Sequence, residues 1–162
     1  MAGATRCSDR TVKVRLRPVL GSDSRWLDGW LPPVAEAAGY PAGTIRGERA
    51  DAAAARKVWI IEAGGEDAGV VACRIHTPER ESALIEIVAT RPESARRGAG
   101  LAAAVALEAE LRRIGTRQVY APAPAPHGIA LYFWIRLGYR PLLRPQWPAC
   151  ASEETAWLVR EL

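Results

Sequence analysis

The stretch Ile85-Glu86-Ile87-Val88-Ala89-Thr90-Arg91-Pro92-Glu93-Ser94-Ala95-Arg96-Arg97-Gly98-Ala99-Gly100-Leu101 decides how the chain reads. It starts as an apolar strand, passes through a charged loop and opens onto an alanine-rich helix. Gly98 and Gly100 flank Ala99 where that helix should begin. Glycine has no Cβ, so the backbone there can turn sharply and approach a ligand closely. The first four amides of a helix lack an internal partner, and the helix start carries partial positive charge. Such a start accepts phosphate. Arg96 and Arg97 just upstream add two permanent cations suited to phosphate oxygens. Residues 96–101 therefore point to a pyrophosphate-bearing ligand.

Upstream, Thr11–Arg17 alternates polar and apolar residues and predicts a half-buried strand ended by Pro18. Ser22 or Asp23 can cap a helix carrying Trp26, Leu27, Trp30 and Leu31 on one stripe. Pro32-Pro33 should interrupt it before a short helical piece at Val34–Ala38, and Arg49–Arg56 reads as a short Ala-rich helix. Val58–Ala63, Ala68–His76 and Ala83–Thr90, joined by Gly64-Gly65-Glu66-Asp67 and Thr77–Ser82, predict a meander of three strands.

Downstream, Leu101–Ile114 predicts the main helix, with Leu101, Val105, Leu107, Leu111 and Ile114 toward one side and Gly115 as its stop. Arg117–Ala121 is a short strand. The Ala-Pro alternation over Ala121–Pro126 favours an extended backbone that cannot form a full ladder. Gly128–Leu137 is a helix, and Tyr139–Leu143 and Thr155–Glu161 are terminal strands. The strand–helix–strand passage from 83 to 121 requires a parallel, right-handed crossover. The expected fold is a single mixed-sheet α/β domain over residues 11–162, behind a flexible, polar N-terminus at 1–10.

The chain has 162 residues, 49% hydrophobic and 25% charged, the profile of a soluble domain with a sizeable core. No apolar run approaches the roughly 18–20 residues of a membrane span, and the first ten residues lack the apolar core of a signal peptide. A net charge of +4 leans only weakly toward anionic partners. The arginines are scattered and no aromatic–basic platform accompanies them, so neither nucleic acid nor membrane is expected as a partner. Cys7, Cys73 and Cys150 show neither zinc nor redox spacing, which fits a reducing cytoplasm and gives no metal site.

Two motifs bring in a resemblance. Thr90-Arg91-Pro92 followed by Ala95-Arg96-Arg97-Gly98-Ala99-Gly100, and later His127, Ala130, Phe133-Trp134 and Gly138-Tyr139, resemble the motifs of GNAT-type N-acyltransferases. The resemblance spans nearly the whole chain in element order and is most specific over Ala83–Leu143. It implies a GNAT-like fold: a mixed, mostly antiparallel sheet of six to seven strands flanked by helices, splayed between the fourth and fifth strands. It also implies an acyl-CoA cosubstrate, most simply acetyl-CoA, and a primary-amine acceptor. A homodimer follows by analogy alone. Where the family has Arg or Gln, Asn and Tyr, this chain has Ala95, His127 and Trp134.

The implied cosubstrate contacts are the backbone edge of Val88 and Thr90, the turn formed by Arg96, Arg97, Gly98, Ala99, Gly100 and Leu101, and His127, which alternatively caps the helix starting at Gly128. An amide near Val88 is the expected oxyanion donor. Acyl transfer to an amine needs a neutral nucleophile, donors for the oxyanion and a protonated leaving thiolate. Glu86 is the candidate base, expected by alternation on the same side as Leu84 and Val88; a hydrogen-bonded structural role is the alternative. In many relatives the Tyr replaced here by Trp134 protonates the thiolate, and an indole cannot. Tyr132, about 200° from Trp134 around the helix, should point elsewhere. Trp26, Trp30, Trp147 and Trp157 are pocket candidates with a core role as the alternative, His76 is one with a surface role as the alternative, and Tyr40, in a loop, is the better pocket candidate.

Gly98-Ala99-Gly100-Leu101-Ala102-Ala103 also matches a loose dinucleotide pattern, but it stands mid-chain behind about seven loop residues, unlike that fold. The expected function is transfer of a short acyl group from acyl-CoA to an amine. The departures at 95, 127 and 134 keep open an acyl-CoA-binding sensor with weak or no catalysis.

Overall fold

The computed structural model describes residues 12–38, 56–124, 128–148 and 155–162. Strand β1 (Val14–Pro18) leads into α1 (Ser24–Asp28) and α2 (Leu31–Ala37). The meander β2 (Arg56–Ala63), β3 (Glu66–Ile75) and β4 (Ser82–Thr90) follows, then α3 (Ala99–Arg113), β5 (Gln118–Pro124), α4 (Gly128–Arg136), β6 (Arg140–Pro141) and β7 (Thr155–Glu161). The seven strands form one sheet in the order β1-β2-β3-β4-β5-β7-β6. All pairs are antiparallel except β4 with β5.

Alternation along β3 divides the core between the two faces. Val71 and Cys73 pack with Leu107 and Leu111 of α3 and Trp134 of α4. Val70 and Ala72 pack on the other face with Trp30, at the junction of α1 and α2, and with Leu31 and Ala35 of α2. Each fully buried Ile, Leu or Val in these layers contributes about 1.5–3 kcal/mol of transfer free energy.

Several elements differ from the sequence reading, each for a physical reason. The two prolines do not separate α2 from its start: Pro32 and Pro33 fall in its first turn, where no amide hydrogen bond is lost. Asp23 does not cap α1; its buried carboxylate accepts from the Leu20 amide at 2.7 Å and from Arg17 at 2.8 and 3.1 Å. The buried side of α3 is Ala99, Ala103, Ala104, Leu107, Glu108 and Leu111. Val105 and Ile114, expected with that side, are about half exposed, because the alanines bring the helix close to the sheet and turn Val105 outward. The Ala-Pro run is strand as far as Pro124, paired with β7. The expected helix at 49–56 lies outside the described residues, except that Arg56 begins β2.

β4 and β5 pair only over Ser82–Leu84 with Gln118–Tyr120, and beyond that step they diverge. Pro122 and Pro124 help explain why. Leu142 donates its amide to Trp157 O at 2.8 Å, so the backbone groups of Trp157 face β6. Its β5 partner Pro122 thus turns its nitrogen toward β4, and Pro124 two residues on does the same. Neither nitrogen carries a proton, so the β5 edge cannot continue the ladder there.

Candidate acyl-transfer site

The site is built from β4, the turn behind it and α4. Glu86 has no Cα partner on β3: Ile85 lies opposite Cys73 and Ile87 opposite Ala72. This one-residue bulge changes the alternation. Ile85 packs on the α3 face and Ile87 on the α1–α2 face, while Val88 returns to the α3 face. Glu86 and Val88, expected on one side, are therefore on opposite faces of the sheet.

At the end of β4, Arg91 donates its amide to Ala68 O at 2.9 Å. Alternate residues send their backbone groups to the same edge, so those of Val88 and Thr90 face the splay. The chain then makes a single 3-10 turn at Pro92–Ser94 and two left-handed residues, Arg96 at φ 62° and Gly98 at φ 84°. Gly98 is the N-cap of α3. Ala102 makes the first helical bond, to Gly98 O at 3.0 Å, and the amides of Gly98, Ala99, Gly100 and Leu101 precede it without intrahelical acceptors.

A cleft of ≈ 1310 Å³ opens beside this turn. Val88, Thr90, Arg96, Arg97, Gly98, Gly100 and Leu101, all anticipated as cosubstrate contacts, line it. The Ala99 side chain is buried, so this residue can offer its amide alone. His127 and Tyr40 lie outside the described residues.

The opposite wall comes from α4, with Ala130, Phe133 and Trp134 among its lining residues. Trp134 is buried, edge-on to Phe133 at 4.9 Å and tilted against Tyr139 at 5.0 Å. Tyr132 does not point away from the site: it lines the cleft, its ring beneath the Arg136 guanidinium at 5.8 Å. Among the described residues it is the one phenol that does so. Tyr139 is buried behind Trp134, and burial pushes its hydroxyl above the ordinary phenol range.

On the opposite face, Glu86 is held between two arginines that the sequence reading did not single out. Its Oε2 is 2.5 Å from Arg56 Nε and its Oε1 2.6 Å from Arg74 Nε. The Glu86 side chain is 10% exposed, Arg56 11% and Arg74 47%. The available signal was the polar Arg74 inside the apolar run Val70–Ile75. Each carboxylate oxygen retains a lone pair beyond its guanidinium bond, so Glu86 can still accept from an amine or water.

A second buried carboxylate, also unanticipated, lies under α3. Glu108 Oε2 is 3.1 Å from Arg160 Nη1, and the same arginine donates to Leu137 O at the end of α4. Burial raises the Glu108 pKa, opposed by the Tyr139 hydroxyl and the Arg160 charge. This network ties α3, α4 and β7 together behind the cleft.

The remaining aromatic candidates are largely structural. Trp26 and Trp30 stack edge-on at 5.3 Å within the α1–α2 core. Trp147 donates its indole N–H to Leu142 O at 3.0 Å. Trp157 is buried beside Tyr120 and Val159. His76 is exposed, its Nδ1 2.6 Å from Arg80 O within the β3–β4 turn. No group of three or more metal-ligating side chains occurs among the described residues, and no described helix is long and apolar enough to cross a membrane.

A splayed mixed sheet with an anion-ready helix start at the mouth of the splay defines a class of acyl-CoA-dependent transferases. The family model of the acetyltransferase (GNAT) family matches residues 24–139, and the chain belongs to that family. Its fold is shared by solved structures. An acetyltransferase from Thermus thermophilus matches with a TM-score of 0.73 and 22% identity, over 93% of this chain and 98% of its own. A GNAT-family acetyltransferase from Staphylococcus aureus Mu50 gives 0.73 and 10% over 92% and 99%. A Bacillus subtilis acetyltransferase in complex with CoA gives 0.62 and 13% over 93% and 99%. At these identities the likeness concerns the fold. No curated protein matches the chain in sequence.

Proposed function

We propose that this protein moves an acetyl or other short acyl group from acyl-CoA to a primary amine of a small molecule or peptide, by direct attack, in the cytoplasm. The observation that carries the reading is the continuity of the open β4 edge with the left-handed turn at Gly98. An extended ligand pairing with Val88 and Thr90 would reach free amides at the start of α3 with its pyrophosphate. Arg96 and Arg97 add charge at the same point. The proline edge of β5 has no amide to offer over 122–124, which favours β4 as the strand that pairs with the pantetheine arm.

In the reaction the amine nitrogen attacks the thioester carbonyl. The Val88 amide stabilises the oxyanion, and Glu86, on the opposite side of the splay from the CoA cleft, takes the amine proton directly or through water. The carbon–sulfur bond then breaks. Trp134 supplies no proton to the thiolate, and this one observation favours a second reading, an acyl-CoA-binding sensor.

Calorimetry with acetyl-CoA and thiol release across an amine panel separate the possibilities. Binding with turnover supports the transferase. Binding without turnover on any amine leaves the sensor, and no binding at millimolar acetyl-CoA removes both.

A further inference from the structure

We infer that the acceptor is an amine carrying a carboxylate a few bonds from its nitrogen, an α-amino acid being the simplest case, and that Arg74 is the residue that selects it. This deepens the transferase reading and rests on it.

The argument starts from the register. Leu84 and Tyr120 form the last paired step between β4 and β5. Two residues further, Glu86 and Pro122 stand across the splay on the face away from α3, and Pro122 is paired with Trp157. Arg74 lies opposite both Leu84 and Arg56, which puts both guanidiniums on that same face. The floor of the acceptor side is therefore Arg56, Arg74, Glu86 and, beyond the gap, Trp157.

This floor is rich in donors. Arg74 gives its Nε to Glu86, and its Nη groups have no partner among the described residues, on a side chain that is 47% exposed. Trp157 is 4% exposed and packs beside Tyr120 and Val159, so it closes the far side of the gap as an apolar wall. Glu79, whose charge acts on the Tyr120 phenol, belongs to the exposed β3–β4 turn and is solvated. A neutral or cationic acceptor would leave these donors unmet, whereas a carboxylate matches the planar guanidinium edge.

The contact between Arg74 and Glu86 sets the acceptor's dimensions. A carboxylate held by Arg74 sits beside the group proposed to take the amine proton, so nitrogen and carboxylate must be close in the molecule. The carbon–nitrogen bond forms first and the amine proton leaves through Glu86; the oxyanion then collapses, the carbon–sulfur bond breaks and the thiolate takes a proton from solvent. Arg74 takes no part in that exchange; it positions the nucleophile.

The test compares free amino acids with the corresponding amino-acid amides, using acetyl-CoA and thiol release, in wild type and Arg74→Gln. The expected result is turnover of acids with kcat/KM at least about tenfold above their amides, the scale of one charge-assisted hydrogen bond. Arg74→Gln should raise KM for acids by about 10–100-fold, erase the difference from amides and leave the acetyl-CoA Kd unchanged. Equal turnover of acids and amides in the wild-type protein, or an equal loss for both in the variant, would overturn the inference. Acetyl-CoA binding with turnover of amides or simple amines alone sinks the inference and leaves the transferase reading standing. Absence of acetyl-CoA binding removes both.

Discussion

Gly98 and Gly100 look alike in sequence and occupy different situations in the structure, and the difference gives a quantitative test of the cradle. Gly98 adopts φ 84°, and a Cβ built on it would meet only Val12 Cγ2, at 3.6 Å. Space is therefore available, and the whole cost of Gly98→Ala is conformational. An L-residue in the left-handed region costs about 1–2 kcal/mol, or about 2–8 °C in Tm for a chain of this size. Gly100 lies in the first turn of α3, and its added Cβ would touch Thr90 Cγ2 at 3.6 Å and Phe133 Cε2 and Val88 Cγ1 at 3.9 Å. Those are ordinary contacts, and alanine raises helix stability by about 0.5–1 kcal/mol over glycine. The Gly100→Ala protein should melt at or slightly above the wild-type temperature.

Binding should separate the two variants further. Where the alanine at residue 98 leaves the left-handed region and escapes that cost, it rotates the peptide planes that aim the first amides of α3. Loss of one amide bond to a charged phosphate oxygen is worth about 1.5–3 kcal/mol, which is about 10–150-fold in Kd for acetyl-CoA. Gly100→Ala leaves the amides in place, and its Kd should change by less than about threefold, within roughly 0.7 kcal/mol. Scanning calorimetry gives the stabilities and titration calorimetry the affinities. Wild-type affinity in Gly98→Ala without the loss in Tm would refute the amide cradle, and a large loss in Gly100→Ala would place the ligand against β4 in a way this geometry does not provide.

Three further outcomes follow from the buried groups. Glu86→Gln should lower kcat/KM by about 10²–10⁴-fold, the range of a general base, with the acetyl-CoA Kd unchanged; an unaltered pH–rate profile would remove Glu86 as the base. Glu108 has a raised pKa in the folded chain, so it holds its proton more tightly there than when unfolded. Its contribution to stability is full below the ordinary value of 4.5 and is lost as pH rises through the folded value. The wild-type Tm should thus fall relative to Glu108→Gln between pH 4 and pH 7, and parallel profiles would contradict the raised pKa. Burial pushes the Cys73 thiol up to about 12, and peptide mapping after alkylation of the native protein at pH 8 should find Cys73 unlabelled, whereas labelling would show that this core strand opens.

The parts legible in the sequence were those fixed by local chemistry. Alternation located the meander, Gly64-Gly65 its first turn, and Gly98 the start of α3. The parts that were not legible depend on what lies across the chain. Pro32-Pro33 can break a helix or begin one, and packing of Leu31 against the sheet decides for the second. Val105 is apolar and at helical spacing, yet a row of alanines carries the contact. Arg56 and Arg74 become site residues only because their strands pair directly and deliver both guanidiniums to one carboxylate. The position of β7 between β5 and β6 has no local signature, since register between distant strands is set by matching faces.

The bulge at Glu86 joins these observations into one arrangement. With strict alternation Glu86 and Val88 would share a face, and the carboxylate would point into the cleft beside α3. One extra residue places the carboxylate on the α1–α2 face while the Val88 and Thr90 side chains stay on the α3 face. Their backbone groups meet at the open edge between. In the proposed reaction, a thioester lying along that edge would meet the α3 amides on one side and the amine on the other, without either ligand crossing the other's path. The prolines of β5 keep the edge open and the bulge of β4 divides its two sides. The two sides of the proposed site are thus set by the two strands, and the proposed choice of acceptor is left to the side chains that the bulge gathers around Glu86.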